Sequence, residues 1–289
     1  MTTNTGETPA APAPPPSPAS RAGRNLLHAV GIGLFLGALV IVTLLTYKVA
    51  FLVVVCIAVP LGSMEMARAL STGGTRVLLP PVVGGTVAMI VAAYIWGGQG
   101  LAVAFVATLV VVLVWRTFLG VDGVVADVAA SVLSAAYPGF LAGFAAMMLA
   151  PGDGVKRIFF FVLLAVASDV GGYAVGVLIG RHPLAPRISP KKSWEGFGGS
   201  LAFCAVAGAL TMVFSFGSRW WEGALAGMAV AAVATLGDLV ESVIKRDLGI
   251  KDMGTILPGH GGFMDRLDSL VLVAPLAWSL LALLVPVTS

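Results

Sequence analysis

Long apolar runs alternate with short polar segments along most of the chain, and this pattern predicts a bundle of membrane-spanning helices. A helix needs about 20 mostly apolar residues to cross a bilayer. The predicted fold class is therefore an all-α polytopic membrane protein of about nine transmembrane helices with a cytosolic N-terminus. The nine spans are predicted at roughly 26–47, 49–67, 77–97, 99–119, 128–150, 157–180, 198–217, 221–243 and 267–287.

The first part of the chain has a different composition. Residues 1–24 contain the run APAAPAPPPSPAS and show no apolar periodicity. Such a segment cannot bury enough apolar surface to offset its ordering entropy, so we expect a disordered cytosolic tail. The first apolar run is long enough to span, which argues against a cleaved signal peptide. Residues 25–289 are expected to form one transmembrane domain.

Composition supports a membrane protein. Hydrophobic residues make up 58% of the 289 residues, charged residues 11%, and the mean hydropathy is +0.99. Soluble domains carry about 25% charged residues. The two cysteines, Cys56 and Cys204, lie singly in apolar runs, which is not the spacing of a zinc site or a disulfide framework.

The distribution of Lys and Arg predicts the orientation. With nine spans and a cytosolic N-terminus, thirteen of these residues fall on the cytosolic side and four on the other. That asymmetry satisfies the positive-inside rule. It also places the polar segments 181–197 and 244–266 on the same, cytosolic side.

Charge is concentrated in residues 238–268, the signature stretch. This stretch holds six of the fourteen acidic residues, four of the seventeen basic ones and one of the three histidines. One interpretation is a solvated, charge-balanced loop between two spans. However, the carboxylates continue into the apolar helices, where a charge is costly and a functional role is the default hypothesis. Carboxylates suit a hard divalent cation, while Lys, Arg and glycine-loop amides suit phosphate oxygens.

Two segments resemble known motifs. Residues 189–196 (SPKKSWEG) and the signature stretch together resemble the phosphatidate cytidylyltransferases, also called CDP-diacylglycerol synthases. Ser193 stands where Thr is also common in that family. The matching positions of the signature stretch are Ser242, Lys245, Arg246, Lys251, Asp252, Pro258, His260, Gly261, Gly262, Asp265, Arg266 and Asp268.

The resemblance implies that CTP and phosphatidic acid react to give CDP-diacylglycerol and pyrophosphate, with Mg²⁺ as cofactor and a second, monovalent cation left open. The expected metal ligands are Asp238 and Asp265, joined by Asp268, with Glu241 nearby. The expected catalytic residues, which neutralise phosphates, are Lys245, Arg246, Lys251 and His260. The expected substrate-binding residues are Lys191, Lys192, Ser242 and Arg266.

Two other interpretations stay open. Intramembrane carboxylates such as Asp169 could instead serve an ion-coupled transporter, and another lipid nucleotidyl- or phosphotransferase would use similar metal and phosphate chemistry. We expect Asp169 to face a polar cavity. We expect Glu65 to form a local ion pair with Arg68, three residues further along the same helix.

The expected partners are CTP, phosphatidic acid and the lipid bilayer, and no nucleic acid. The family resemblance also implies a homodimer. The Ala-, Val- and Gly-rich spans are typical of a bacterial plasma membrane, so we expect a multi-pass inner-membrane protein with its active site facing the cytosol.

Overall fold

The computed structural model describes residues 33, 35, 37–254, 256 and 261–286. The predicted N-terminal tail and His260 lie outside these residues. Seven of the described helical segments are long and apolar enough to cross a membrane. The helices are α1 (Gly37–Thr46), α2 (Lys48–Thr72), α3 (Leu79–Thr117), α4 (Val124–Ala135), α5 (Leu141–Leu149), α6 (Gly154–Ile179), α7 (Trp194–Phe216), α8 (Trp220–Asp247) and α9 (Met264–Leu284).

Helix α3 is two helices joined by a tight reversal. Its 39 residues would extend about 58 Å if straight, roughly twice the hydrocarbon thickness of a bilayer. Gly97 has a non-helical backbone, with φ 62° and ψ −144°. A Cβ on Gly85 would collide with the side chain of Thr108, so the two halves lie side by side. The reversal falls between the predicted spans 77–97 and 99–119. The first predicted span lies partly outside the described residues, so the total of nine stays a prediction.

A π-helical turn, Ala136–Phe140, joins α4 to α5 and contains Pro138. Proline cannot donate the backbone hydrogen bond that a regular helix needs. The proline is therefore accommodated in a π-helical turn, and α4 and α5 continue as one membrane-length segment, Val124–Leu149.

Contacts between helix ends show which loops share a side of the bundle. On one side, Lys48 donates to the carbonyl of Pro151, and Arg157 donates to the carbonyl of Val285 at 3.2 Å. On the other side, Arg116 pairs with Asp127 at 2.8 Å. Segments 181–197 and 244–266 also share a side, because Arg246 donates to the carbonyl of Ile188 at 3.3 Å. This pairing of loops is the one that the orientation argument requires.

Helices α6, α7 and α8 pack through small residues. A Cβ on Gly171 would lie 2.7 Å from the carbonyl oxygen of Gly199, and one on Gly223 would collide with the backbone of Gly208. Glycines allow helix backbones to approach this closely in a membrane. The close approach brings the polar ends of these three helices together on the side that holds the signature stretch.

A short β-hairpin between α6 and α7 was not predicted. Strands β1 (Pro183–Ala185) and β2 (Ser189–Ser193) pair antiparallel. Strands of three and five residues interrupted by proline carry little periodic signal. Ser193 ends the hairpin and caps α7, because its hydroxyl accepts a hydrogen bond from the Gly196 amide at 3.1 Å. The other regular elements within the described residues are helices.

Candidate active site

A polar cavity of about 330 Å³ opens between α6, α7, α8 and the β-hairpin. Two carboxylates, two lysines and several hydroxyls line it. Such a set can bind a charged group within a membrane protein, where apolar walls strengthen electrostatic interactions. The polar lining residues are Ser168, Asp169, Tyr173, Ser189, Lys191, Lys192, Ser193, Ser200, Thr235 and Asp238.

Lys192 and Asp238 form an ion pair across this cavity. Strand β2 carries the lysine and α8 carries the aspartate, so the pair ties the hairpin to the helix. The two side chains are 27% and 25% exposed. Both charges are therefore reachable by a ligand entering the cavity, and Lys191 beside them is exposed.

A second charged cluster lies where α8 ends and α9 begins. Lys245 lies on α8 and contacts Glu241 one turn earlier and Asp265 on α9, the latter at 2.9 Å. Glu241 is 1% exposed, and its carboxylate is buried beside Lys245. A buried carboxylate is stable only when paired, so Lys245 is needed to hold both acidic groups at this junction.

Asp265 organises the backbone of the connection between the two helices. Its carboxylate accepts hydrogen bonds from the amide of Met253 at 3.0 Å and from the amide of Gly262 at 2.8 Å. Together with Lys245, these donors engage both carboxylate oxygens. Asp265 is thus tied to α8 and to both ends of the connection between the helices.

Asp268 lies one turn further along α9 and interacts electrostatically with Asp238 and Glu241 on α8. Like charges in such proximity repel each other, and a bound cation would relieve that repulsion. Among the residues that the structure describes, no three acidic, histidine or cysteine side chains form a complete metal-binding group. Mg²⁺ is commonly held by one or two carboxylates together with phosphate oxygens and water, so the donor type of these two aspartates fits this ion.

The remaining predicted site residues lie around these two groups. Arg246 is exposed at the end of α8 and supports the hairpin through Ile188. Lys251 and Arg266 are exposed, and Ser242 is partly buried on α8. Of all the predicted residues, those that line the cavity itself are Asp238, Lys191, Lys192 and Asp169.

A sequence model described as the cytidylyltransferase family matches residues 27–284. The chain belongs to the cytidylyltransferase family. A protein of Mycobacterium leprae (strain TN) named phosphatidate cytidylyltransferase is 42% identical over 280 residues, covering 91% of this chain and 90% of that protein. A protein of the same name from Mycobacterium tuberculosis (strain ATCC 25618 / H37Rv) is 40% identical over 299 residues, covering 98% of this chain and 91% of its own. One from Staphylococcus haemolyticus (strain JCSC1435) is 41% identical over 152 residues, or 52% of this chain.

Sequence reasoning missed several residues of this cytidylyltransferase site. The hydroxyls of Ser168, Ser200 and Thr235 line the cavity from three different helices, and no motif marks them. Tyr137 lies in the π-helical turn with its buried hydroxyl unpartnered and interacts electrostatically with Asp268. Its only sequence signal is the neighbouring proline.

The predicted ion pair between Glu65 and Arg68 is wrong. Glu65 is buried, whereas Arg68 is exposed. Glu65 instead accepts a hydrogen bond from the amide of Met264, at 2.9 Å, 199 positions away in the chain. A spacing of three residues indicates that two side chains can meet on a helix, but tertiary packing decides which partner the carboxylate takes.

Proposed function

We infer that the protein transfers the cytidylyl group of CTP to phosphatidate, giving CDP-diacylglycerol and pyrophosphate for phospholipid biosynthesis. The observation that carries this conclusion is the near-full-length similarity to proteins named phosphatidate cytidylyltransferase. The charged cavity within a bundle of apolar helices supports it, because a lipid headgroup and a soluble nucleotide must meet at such a place. The similarity does not favour a transporter.

In the reaction, a phosphate oxygen of phosphatidate bonds to the α-phosphorus of CTP. The bond from that phosphorus to the bridging oxygen breaks, and the electron pair leaves with pyrophosphate. A phosphomonoester has a second pKa of about 6, so the nucleophile is largely ionised at neutral pH. The protein therefore needs no general base, and its task is to position the two phosphates and to neutralise their charge.

We propose Asp238 and Asp268 as the protein ligands of Mg²⁺. Their proximity across α8 and α9 and the partly exposed carboxylate of Asp238 support this choice. When bound, the ion would neutralise phosphate oxygens and orient the α-phosphorus. Asp265, predicted from sequence as a ligand, is better explained as the residue that holds the connection between the two helices, since Lys245 and two amides already occupy its oxygens.

Lys192 and Lys191 are proposed to bind substrate phosphates. Lys192 already contacts Asp238, so an incoming anion can recruit its ammonium group without a large rearrangement. Lys245 stays paired with two carboxylates and contributes positive charge near the leaving group. Arg246, Lys251, Arg266 and Ser242 stay predictions for phosphate contacts, and so does His260, which lies outside the described residues.

We also propose nine crossings, a cytosolic active site in a bacterial plasma membrane, and a homodimer. The excess of Lys and Arg on the side that holds the signature stretch supports the orientation. The reversal at Gly97 supports two crossings within α3. The homodimer follows from family resemblance alone.

Release of pyrophosphate tests the proposed function. Purified protein in detergent with phosphatidate micelles and Mg²⁺ should release pyrophosphate only when CTP is also added, as measured with a coupled pyrophosphatase assay. Each substrate alone should give the background rate. Pyrophosphate release that does not depend on phosphatidate, or no release with both substrates present, would contradict the proposal.

A further inference from the structure

Glu65 connects the N-terminal half of the protein to the signature stretch. It lies on α2, far from that stretch in sequence, and is 1% exposed. One carboxylate oxygen accepts a hydrogen bond from the backbone amide of Met264, the first residue of α9, at 2.9 Å. An intramembrane carboxylate has thus been buried against the start of the helix that carries Asp265 and Asp268.

The contact has the form of a helix cap supplied by another helix. The N-cap position of α9 is Phe263, whose side chain cannot accept a hydrogen bond, and no side-chain cap is present there. The first amides of a helix need acceptors, and a negative charge is favourable at this end of the helix dipole. Glu65 provides both from α2.

The same carboxylate packs against both ends of the connection between α8 and α9. A Cβ on Gly262 would lie 2.6 Å from the carboxylate carbon of Glu65, and one on Gly254 would lie 2.7 Å from its Cγ. Replacing either glycine by a larger residue would therefore displace Glu65. The adjacent Met66 belongs to a buried cluster with Met253 and Met264, which holds the same junction by apolar contacts.

The junction held in this way sets the position of the acidic residues. Asp265 accepts hydrogen bonds from the amide of Met253, which is next to Gly254, and from the amide of Gly262 itself. Asp268 follows one turn later on the same helix. A shift at the start of α9 would therefore move both aspartates relative to Asp238 and Lys245 on α8.

We propose that Glu65 is a positioning residue for cytidylyl transfer: from α2 it caps α9 and holds both ends of the connection, so that Asp265 and Asp268 meet α8 at the correct separation. This inference rests on the proposed function. Glu65 acts through the backbone and through other carboxylates and does not itself touch substrate. Its second oxygen is buried beside Gly254 and Gly262.

Three variants separate this role from simple packing and from an ion pair. Glu65→Leu keeps the approximate volume but removes both acceptor oxygens, Glu65→Gln keeps one acceptor, and Arg68→Ala is the matched control one turn away. We expect Glu65→Leu to lower kcat by about one to two orders of magnitude, which is the factor that corresponds to the loss of a hydrogen bond to a charged group. The KM for CTP should change much less. Glu65→Gln should recover part of this loss, and Arg68→Ala should match the wild type.

Trypsin cleavage gives a readout that does not depend on turnover. Lys251 is exposed in the connection between α8 and α9, so cleavage after it, identified by mass spectrometry, reports whether the connection is held. We expect faster cleavage in Glu65→Leu than in the wild type or Arg68→Ala, with intermediate cleavage in Glu65→Gln.

Each contrary result overturns the inference. For turnover, the contrary results are a wild-type kcat in Glu65→Leu, an equal loss of kcat in Glu65→Gln and Glu65→Leu, or an equal loss of kcat in Arg68→Ala. For proteolysis, the contrary result is an unchanged rate of cleavage after Lys251 in Glu65→Leu. If the wild type shows no turnover, the proposed function fails, and the cleavage comparison still decides whether Glu65 holds the junction. If the wild type is active and the variants show one of the contrary results, only the role of Glu65 fails.

Discussion

Replacing Asp265 by Asn tests whether this residue anchors the junction between α8 and α9 or binds a metal ion. The carboxylate pairs with Lys245 at 2.9 Å and accepts hydrogen bonds from the amides of Met253 and Gly262. Asn keeps one acceptor oxygen, but its amide nitrogen cannot accept from a backbone N–H. With that oxygen at the Oδ2 position Asn can still accept from both amides, so the substitution mainly removes the ion pair with Lys245 at Oδ1.

The cost can be bounded from the burial of the pair. Breaking a fully buried ion pair by removing one partner costs about 3–5 kcal/mol. Here the side chains of Lys245 and Asp265 are 16% and 8% exposed, and Lys245 keeps Glu241 as a second partner. We therefore expect a smaller loss in the free energy of unfolding, about 2 kcal/mol.

Two measurements on Asp265→Asn and Asp268→Asn test this assignment. Thermal unfolding should show a lower midpoint for Asp265→Asn, while the Mg²⁺ concentration that gives half-maximal turnover stays near the wild-type value. For Asp268→Asn, the half-saturating Mg²⁺ concentration should rise about tenfold or more because a proposed ligand is lost. If Asp265→Asn raises the Mg²⁺ requirement as far as Asp268→Asn does, the assignment of Asp265 to the junction is refuted and the original prediction of a metal ligand is restored.

Three further predictions follow from the same contacts. Lys192→Ala should raise KM for CTP or phosphatidate more than it lowers kcat, since this cavity lysine is proposed to bind ground-state phosphates. Unchanged KM values for both substrates would remove it from the site. Gly262→Ala should abolish most activity because the new Cβ would collide with Glu65. Gly198→Ala is the control and should stay active, because a Cβ at that position meets nothing within 4 Å. Equal activity of the two variants would contradict the contact between Gly262 and Glu65. A cysteine introduced at Arg187 should react with a membrane-impermeant reagent from the cytosolic side of the membrane, and one introduced at Ser218 from the opposite side. Labelling of both cysteines from one side would contradict the topology.

The helical segments could be predicted from the sequence because bilayer thickness imposes a minimum apolar length that is visible in the chain. The predicted spans 77–97 and 99–119 flank the observed reversal at Gly97, where the sequence GGQG at 97–100 interrupts the apolar run. The charged ends of α8 and α9 could be predicted for a similar reason, since charge inside apolar segments is rare and calls for a partner.

The roles of individual carboxylates could not be predicted in the same way. Asp265 and Asp268 are chemically alike, and the contacts of Asp265 with Lys245 and with the amides of Met253 and Gly262 depend on tertiary packing. Glu65 takes an acceptor role 199 positions away from its donor, which no local pattern encodes. The β-hairpin escaped prediction because its short, proline-containing strands are defined by their pairing and by contacts with α8.

The most direct test of the central claim follows the phosphorus atoms of CTP. Purified protein is incubated with phosphatidate, Mg²⁺ and CTP that carries radioactive phosphorus in either the α- or the γ-phosphate, and the lipid is extracted and counted. Cytidylyl transfer predicts that the α-label enters the lipid and the γ-label leaves as soluble pyrophosphate. Recovery of the γ-label in the lipid would indicate phosphoryl transfer instead, and either that result or an unlabelled lipid from both preparations would contradict the function assigned to this protein.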